Sequence, residues 1–268
     1  MNKLENRMVD ALKDLKENYN VIGVKAEFEA EGTRLEEALR LKEVVSKAGL
    51  DLTIKIGGCE AIRDIYEARV IGVASLVAPM IESPYALTKF MTAVNKAAAE
   101  DEGLSFFVNI ETIDGFNNFD SMLALEEIDN LSGIVVGRGD MACSLGLTRE
   151  DVNSAVIFEI TAELCLKAKQ RALKCTIGGG VSAETLLFIE KMPPGLIDCY
   201  ETRKVIFQNP EKIEDREKNG ILKAVGFEMM WLKNKRDYYG MIFEEDKNRL
   251  QTLQSRYEKS IEEAGGKY

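Results

Sequence analysis

The chain contains no histidine. That single absence removes Ser-His-Asp triads, Cys-His pairs and His-ligated zinc together. Proton transfer must then fall to carboxylates, lysine, tyrosine, cysteine or metal-bound water. Any metal site must be built mostly from oxygen, which favours Mg²⁺ or Mn²⁺. Cysteine is sparse: Cys59, Cys143, Cys165, Cys175 and Cys199 form no CxxC pair and no even-numbered disulfide framework. They read as reduced, mostly buried thiols of a cytoplasmic protein. Long apolar runs are missing too. Nothing approaches the roughly 18 consecutive apolar residues of a membrane span, and the opening segment "MNKLENRMVDALKDLKENYN" has no signal-peptide core. Positive charge is in deficit: a net charge of −10 argues against nucleic acid or an anionic membrane as a partner. No Gly/Pro/Ser linker divides the first two hundred residues.

What remains is a sequence that is 46% hydrophobic and 30% charged, enough for a large core in a soluble protein. Short apolar runs alternate with helical patterns, as βα units of a parallel sheet do. The candidate strands are "VIGVKAEFEA" (21–30), "LTIKIGG" (52–58), "SLVAPMI" (75–81), "LSFFVNIET" (104–112), "GIVVGRGD" (133–140), "CTIGGG" (175–180) and "IDCYETRKVIF" (197–207). Seven are legible, one short of a closed (β/α)8 TIM barrel of parallel strands; an open doubly wound sheet is the competing architecture. The expected division is a barrel catalytic domain over 1–208 and a C-terminal helical extension over 209–268. The stretch "VGFEMMWLKNKRDYYGMIF" is too apolar for a solvated face. It is expected to pack on the barrel or on a neighbouring subunit, and a homo-oligomer follows.

Side chains alternate across a strand, so parity assigns faces. It directs Lys25, Glu27 and Glu29 inward from the first strand, Lys55 from the second and Asn109 and Glu111 from the fourth. In "GIVVGRGD" Ile134, Val136, Arg138 and Asp140 share a face, and Arg138 and Asp140 are read as inward. Each has a structural reading: Glu111 in an ion pair, Asp140 as a helix cap, Lys25, Glu27 and Glu29 as a neutralising network. Together they converge at strand C-termini, where barrel enzymes build their sites. Burying several charges is costly unless they are paired or hold a metal. Two carboxylates on neighbouring strands suit Mg²⁺, with positions left for a 2-oxo acid. Backbone N–H groups near Gly139 and Asp140 suit its carboxylate.

"LVAPMIES", "FVNIETIDGFNNFDSML" and "GIVVGRGDMACSLGL", in that order and spacing, resemble the HpcH/HpaI aldolase and citrate lyase β-subunit family of metal-dependent barrel enzymes. That family carries a Pro-x-(Ile/Val)-Glu-(Ser/Thr) strand, an (Ile/Val)-Glu-Thr strand and a Gly-x-x-Asp loop running on to Leu/Met-Gly. The resemblance covers about residues 20 to 207. It implies a (β/α)8 barrel, Mg²⁺ or Mn²⁺ held by Glu111 and Asp140, and carbon–carbon cleavage or formation through a pyruvate enolate. The sequence departs from the pattern at two places. Ala30 occupies the place of a loop histidine, which leaves Glu29 or metal-bound water for proton transfer. Lys55 stands where the family has an arginine, a point charge in place of a bidentate fork. Lys55, with Arg138, Gly139 and Asp140, is expected to bind substrate.

Other readings compete. "TIGGGVSAET", with Ser182 as a helix cap and Arg203 nearby, would suit phosphoenolpyruvate or another phosphorylated substrate. Lys55 or Lys25 could form a Schiff base, which needs a lowered lysine pKa. The missing histidine and arginine would also suit a non-catalytic ligand-binding or scaffold relative.

Overall fold

The computed structural model describes residues 1–98 and 103–266. Eight strands close into a barrel in chain order: β1 (Val21–Glu27), β2 (Asp51–Lys55), β3 (Ser75–Ala78), β4 (Ser105–Ile110), β5 (Gly133–Gly137), β6 (Lys174–Gly178), β7 (Cys199–Glu201) and β8 (Val205–Gln208). The first seven are parallel, and β8 runs antiparallel to both β7 and β1. The expected barrel is therefore present, with one correction to the expectation of all-parallel strands. The run read as one strand, 197–207, folds back on itself. Thr202 N–H donates to the Val205 carbonyl at 2.9 Å, and the short reversal makes a hairpin that supplies the eighth strand.

Register shows which side chains share a face. Ala26, Ile54, Leu76 and Phe106 lie side by side, as do Ala78, Val108, Ile134 and Cys175. These rows face the helices: Phe106 meets Phe90 edge-on, with ring centroids 6.5 Å apart. Such a pair contributes about 0.5–1.5 kcal/mol beyond its burial. The helices present matching stripes. In α1 (Lys3–Asn18), begun by an Asn2–Glu5 capping box, Met8, Leu12 and Leu15 are buried; in α2 (Leu35–Lys47) so are Leu41, Val44 and Val45.

The remaining helices are α3 (Ile62–Ile71), α4 (Pro84–Ala98), α5 (Ile113–Asn117), α6 (Phe119–Leu123), α7 (Arg138–Ser144), α8 (Ala155–Gln170), α9 (Ala183–Glu190) and α10 (Asp215–Glu263). Two compact units result, Met1–Glu228 with the barrel and Met229–Tyr268. Among the described residues no helix is long and apolar enough to cross a membrane.

Candidate active site at the barrel mouth

The other face of the strands carries charge inward. One interior row runs Glu27, Lys55, Val77, Phe107, Gly133 and another runs Asn109, Val135, Thr176, Cys199. At the C-terminal ends these rows open into a cavity of about 280 Å³. Its lining includes Glu27, Glu29, Glu111, Asp140 and Glu201 against Lys25, Lys55, Arg149 and Arg203, five carboxylates against four cations. This is the end of a barrel where enzymes place their chemistry.

Glu111 lies just beyond β4 and is buried. Oε1 accepts from the Met80 backbone N–H at 3.0 Å, and Oε2 accepts from the Asn109 side-chain amide at 2.7 Å. Met80 turns its N–H toward Glu111 from a left-handed conformation, φ +49°, a strain of about 1–3 kcal/mol that clusters at functional sites. Gly137, closing β5, makes room for this carboxylate: a Cβ there would lie 2.6 Å from Glu111 Oε2. Lys55 Nζ stands 3.4 Å and 3.5 Å from the two Glu111 oxygens. It is closer to Glu29 Oε2, at 2.9 Å, in an ionic contact that lacks hydrogen-bond alignment. Asp140, in the first turn of α7, is half exposed and has a loose contact with Arg149, 3.7 Å.

Beneath them a second cluster closes the interior. Lys25 pairs with Glu201, and with Glu27 at 3.3 Å, while Arg203 reaches Glu27 at 3.5 Å. Burial alone would lower the pKa of the Lys25 ammonium; Glu201 and Glu27 outweigh it and hold it above the usual 10.5. Burial would raise Glu27; Lys25, Lys55 and Arg203 outweigh it and hold it below the usual 4.5. Lys55 is likewise held above its ordinary value, burial being overcome by Glu111, Glu29 and Glu27. A lysine held protonated is a poor Schiff-base nucleophile.

The signs give a pH prediction. Glu27 contributes stability that is present above 4.5 and lost as pH falls through its lowered folded value. Lys25 contributes stability that is complete below 10.5 and lost as pH rises through its raised one. Urea unfolding across pH should show both declines, and Glu27→Gln should flatten the acid one. An unchanged acid decline in that variant refutes the assignment.

Parity placed Lys25, Glu27, Glu29, Lys55 and Glu111 at this mouth, and Gly139 and Asp140 also line it. Arg138 is a correction. Val136 lies beside Ile110 and Ile177 on the outer face, and the strand stops at Gly137, so alternation does not carry on to Arg138. Its guanidinium is fully buried toward the helices, 4.9 Å over the Phe188 ring. It donates to the Gly178 and Gly179 carbonyls, both at 3.1 Å, and to Asn153 Oδ1 at 2.7 Å. Burial pushes its pKa down to about 10. Its work is to pin the glycine loop against α7. There Gly179, at φ +73°, comes so near that a Cβ would stand 2.5 Å from Gly139 N. Parity also turned Asn109 inward, two residues before Glu111 on the same face, without giving it a role; sequence reasoning missed Met80 and Glu201.

The donor set can be tested against a divalent ion. Among the described residues no three His, Cys, Asp or Glu side chains gather into an all-protein cage. Glu111 and Asp140 nevertheless line one cavity. The contacts of Lys55 to Glu111 are long, Asp140 is loosely held, and the buried Asn109 Oδ1 has no hydrogen-bond partner among the described residues. Two carboxylates with spare acceptor capacity fit Mg²⁺, which completes its shell with water and substrate oxygens.

Residues 34–198 match the sequence profile of the HpcH/HpaI aldolase/citrate lyase family. Among solved structures, the chain is similar to an HpcH/HpaI aldolase/citrate lyase family protein from Burkholderia cenocepacia J2315, with TM-score 0.55 and 15% identity over 71% of this chain and 89% of that one. It is similar to the citrate synthase SbnG, with TM-score 0.58 and 13% identity over 86% and 90% of the two chains. An HpcH/HpaI aldolase from Desulfitobacterium hafniense DCB-2 aligns with TM-score 0.55 and 12% identity over 68% and 78%. No protein with a curated description matches. At these identities the structural likeness speaks to the fold.

Proposed function

Because the chain belongs to the HpcH/HpaI aldolase/citrate lyase family, we propose that it is a divalent-metal-dependent carbon–carbon lyase acting on a 2-oxo acid. A lyase or aldolase type of activity follows from family membership. The finer reading rests on one observation: Glu111 and Asp140 face a single cavity, Glu111 in the recess that Gly137 leaves open.

In this reading Glu111 and Asp140 hold Mg²⁺ or Mn²⁺. The ion supplies Lewis acidity at the keto oxygen of the substrate. The chain's own groups do the rest. The first-turn amides at Gly139 and Asp140 lack intrahelical acceptors and receive the substrate carboxylate. Lys55, kept protonated by three glutamates, adds the positive charge that the carboxylate or the developing enolate needs. Glu29, beside Lys55 and partly open to solvent, takes the proton from the hydroxyl of a 4-hydroxy-2-oxo acid. As that proton leaves, the hydroxyl carbon becomes an aldehyde, the adjoining C–C bond breaks, and its electron pair passes to the enolate. Return of the proton from Glu29 to the enolate carbon, directly or through water, then releases pyruvate or its homologue and restores the carboxylate. Ala30 lines the mouth and brings no titratable group, and in this reading Glu29 carries the proton in its place.

The test is turnover of a panel of 4-hydroxy-2-oxo acids before and after chelation. EDTA should abolish aldehyde release, and Mg²⁺ or Mn²⁺ should restore it. Full activity in a chelated sample rejects the metal. No turnover of any 2-oxo acid, with metal present, leaves the scaffold reading.

A further inference from the structure

Residues 229–263 of the second unit are helical, within α10. Met229, Leu232, Phe243, Leu250 and Leu253 are each more than half exposed. With Arg236, Tyr239 and Asp246 they form one continuous series: 229, 232, 236, 239, 243, 246, 250, 253. The steps alternate three and four without a break, the spacing of a coiled-coil seam. Six of the eight positions are apolar or aromatic. The other two carry opposite charges, Arg236 and Asp246, and both are solvent-exposed.

Those two charges decide what the seam fits. A parallel in-register copy would set Arg236 against Arg236 and Asp246 against Asp246. An antiparallel copy centred on Met241 does the opposite. It sets Met229 against Leu253, Leu232 against Leu250, Tyr239 against Phe243, and Arg236 against Asp246, each twice by symmetry. Shifting that register by one heptad either way places Arg236 and Asp246 opposite apolar or aromatic residues. A buried complementary pair at one layer is a means of fixing orientation and register. Arg236 presently contacts the neighbouring Asp237 at 2.8 Å, an exposed pair that a rotamer change releases.

We propose that the C-terminal helix is a self-association surface, pairing antiparallel with the same helix of a second copy through the 229–253 seam. The seam's edges carry Lys233, Lys235, Lys247 and Arg249, so like charges approach at the solvent-exposed rim. Salt screens that rim repulsion. Self-association should therefore tighten with added salt, whereas capture of an acidic partner helix would weaken.

Sedimentation of the full-length protein over a concentration series, at low and moderate salt, tests this. The parent should self-associate, more tightly in salt. Arg236→Asp and Asp246→Arg should each raise the dissociation constant about tenfold or more, through like-charge contacts at the central layers. The Arg236→Asp/Asp246→Arg double variant should return to the parent value. Circular dichroism checks that each variant keeps its helix. A monomeric parent overturns the proposal. So do single variants that associate as the parent does, which is the parallel outcome, or a double variant that stays dissociated.

Discussion

Glu111→Gln should lower turnover by about 10³-fold or more while the barrel stays folded. The substitution keeps the size of the side chain and an acceptor oxygen for the Met80 N–H. It removes the charge that a metal would need and leaves an amide facing Lys55. Lys55 keeps Glu29 at 2.9 Å, so the ammonium is not stranded, and thermal unfolding should move little. The separation of the two readouts carries the argument. If activity and stability fell together, Glu111 would be the structural counter-ion of Lys55. If activity were unchanged, the site would lie elsewhere.

Glu201→Leu should have the opposite profile, a large loss of stability. Lys25 is nearly solvent-free, and Glu201 is its closer carboxylate. Removing that partner leaves a buried ammonium with Glu27 alone, which must also serve Arg203. Breaking a buried pair costs about 3 kcal/mol or more, a fall in Tm of roughly 6–12 °C for a domain of this size. Replacing both partners, Lys25→Met with Glu201→Leu, should recover a good part of it, because apolar side chains of similar volume carry no desolvation cost. Thermal melts of the two single variants and the double variant measure the coupling. A double variant as unstable as the sum of the singles would mean the pair contributes nothing beyond its separate contacts.

Much of this site was legible in the sequence because strand alternation is rigid where one face is polar. In β1, β2 and β4 the polar residues fall on every second position, a phase that Glu111 continues just beyond β4, so Lys25, Glu27, Lys55 and Glu111 could be assigned inward from their neighbours alone. In β5 the same argument failed at Arg138. Every residue of "GIVVG" is buried, so hydrophobicity gives the strand no phase, and the helix begins immediately after it. Asp140 reaches the mouth through a turn of α7, not through strand parity. The eighth strand was hidden for a different reason. Its hairpin reverses through Thr202, Arg203 and Lys204, without the glycine, proline or asparagine that marks most tight turns, and Lys204 is buried against Glu31. Glu201, the last residue before that reversal, received no reading from the sequence in consequence. The left-handed Met80 that points its N–H at Glu111 has no sequence signature at all.

The central claim is that Glu111 and Asp140 grip one hard divalent ion. Crystals soaked with Mn²⁺ and pyruvate test it most directly, because manganese is located by its anomalous signal. The account predicts a single strong peak contacted by both carboxylates, with the keto acid completing the shell and Lys55 turned from Glu111 toward Glu29 or the ligand. Pyruvate bound with no peak between the two carboxylates, and Lys55 still seated against Glu111, would contradict it.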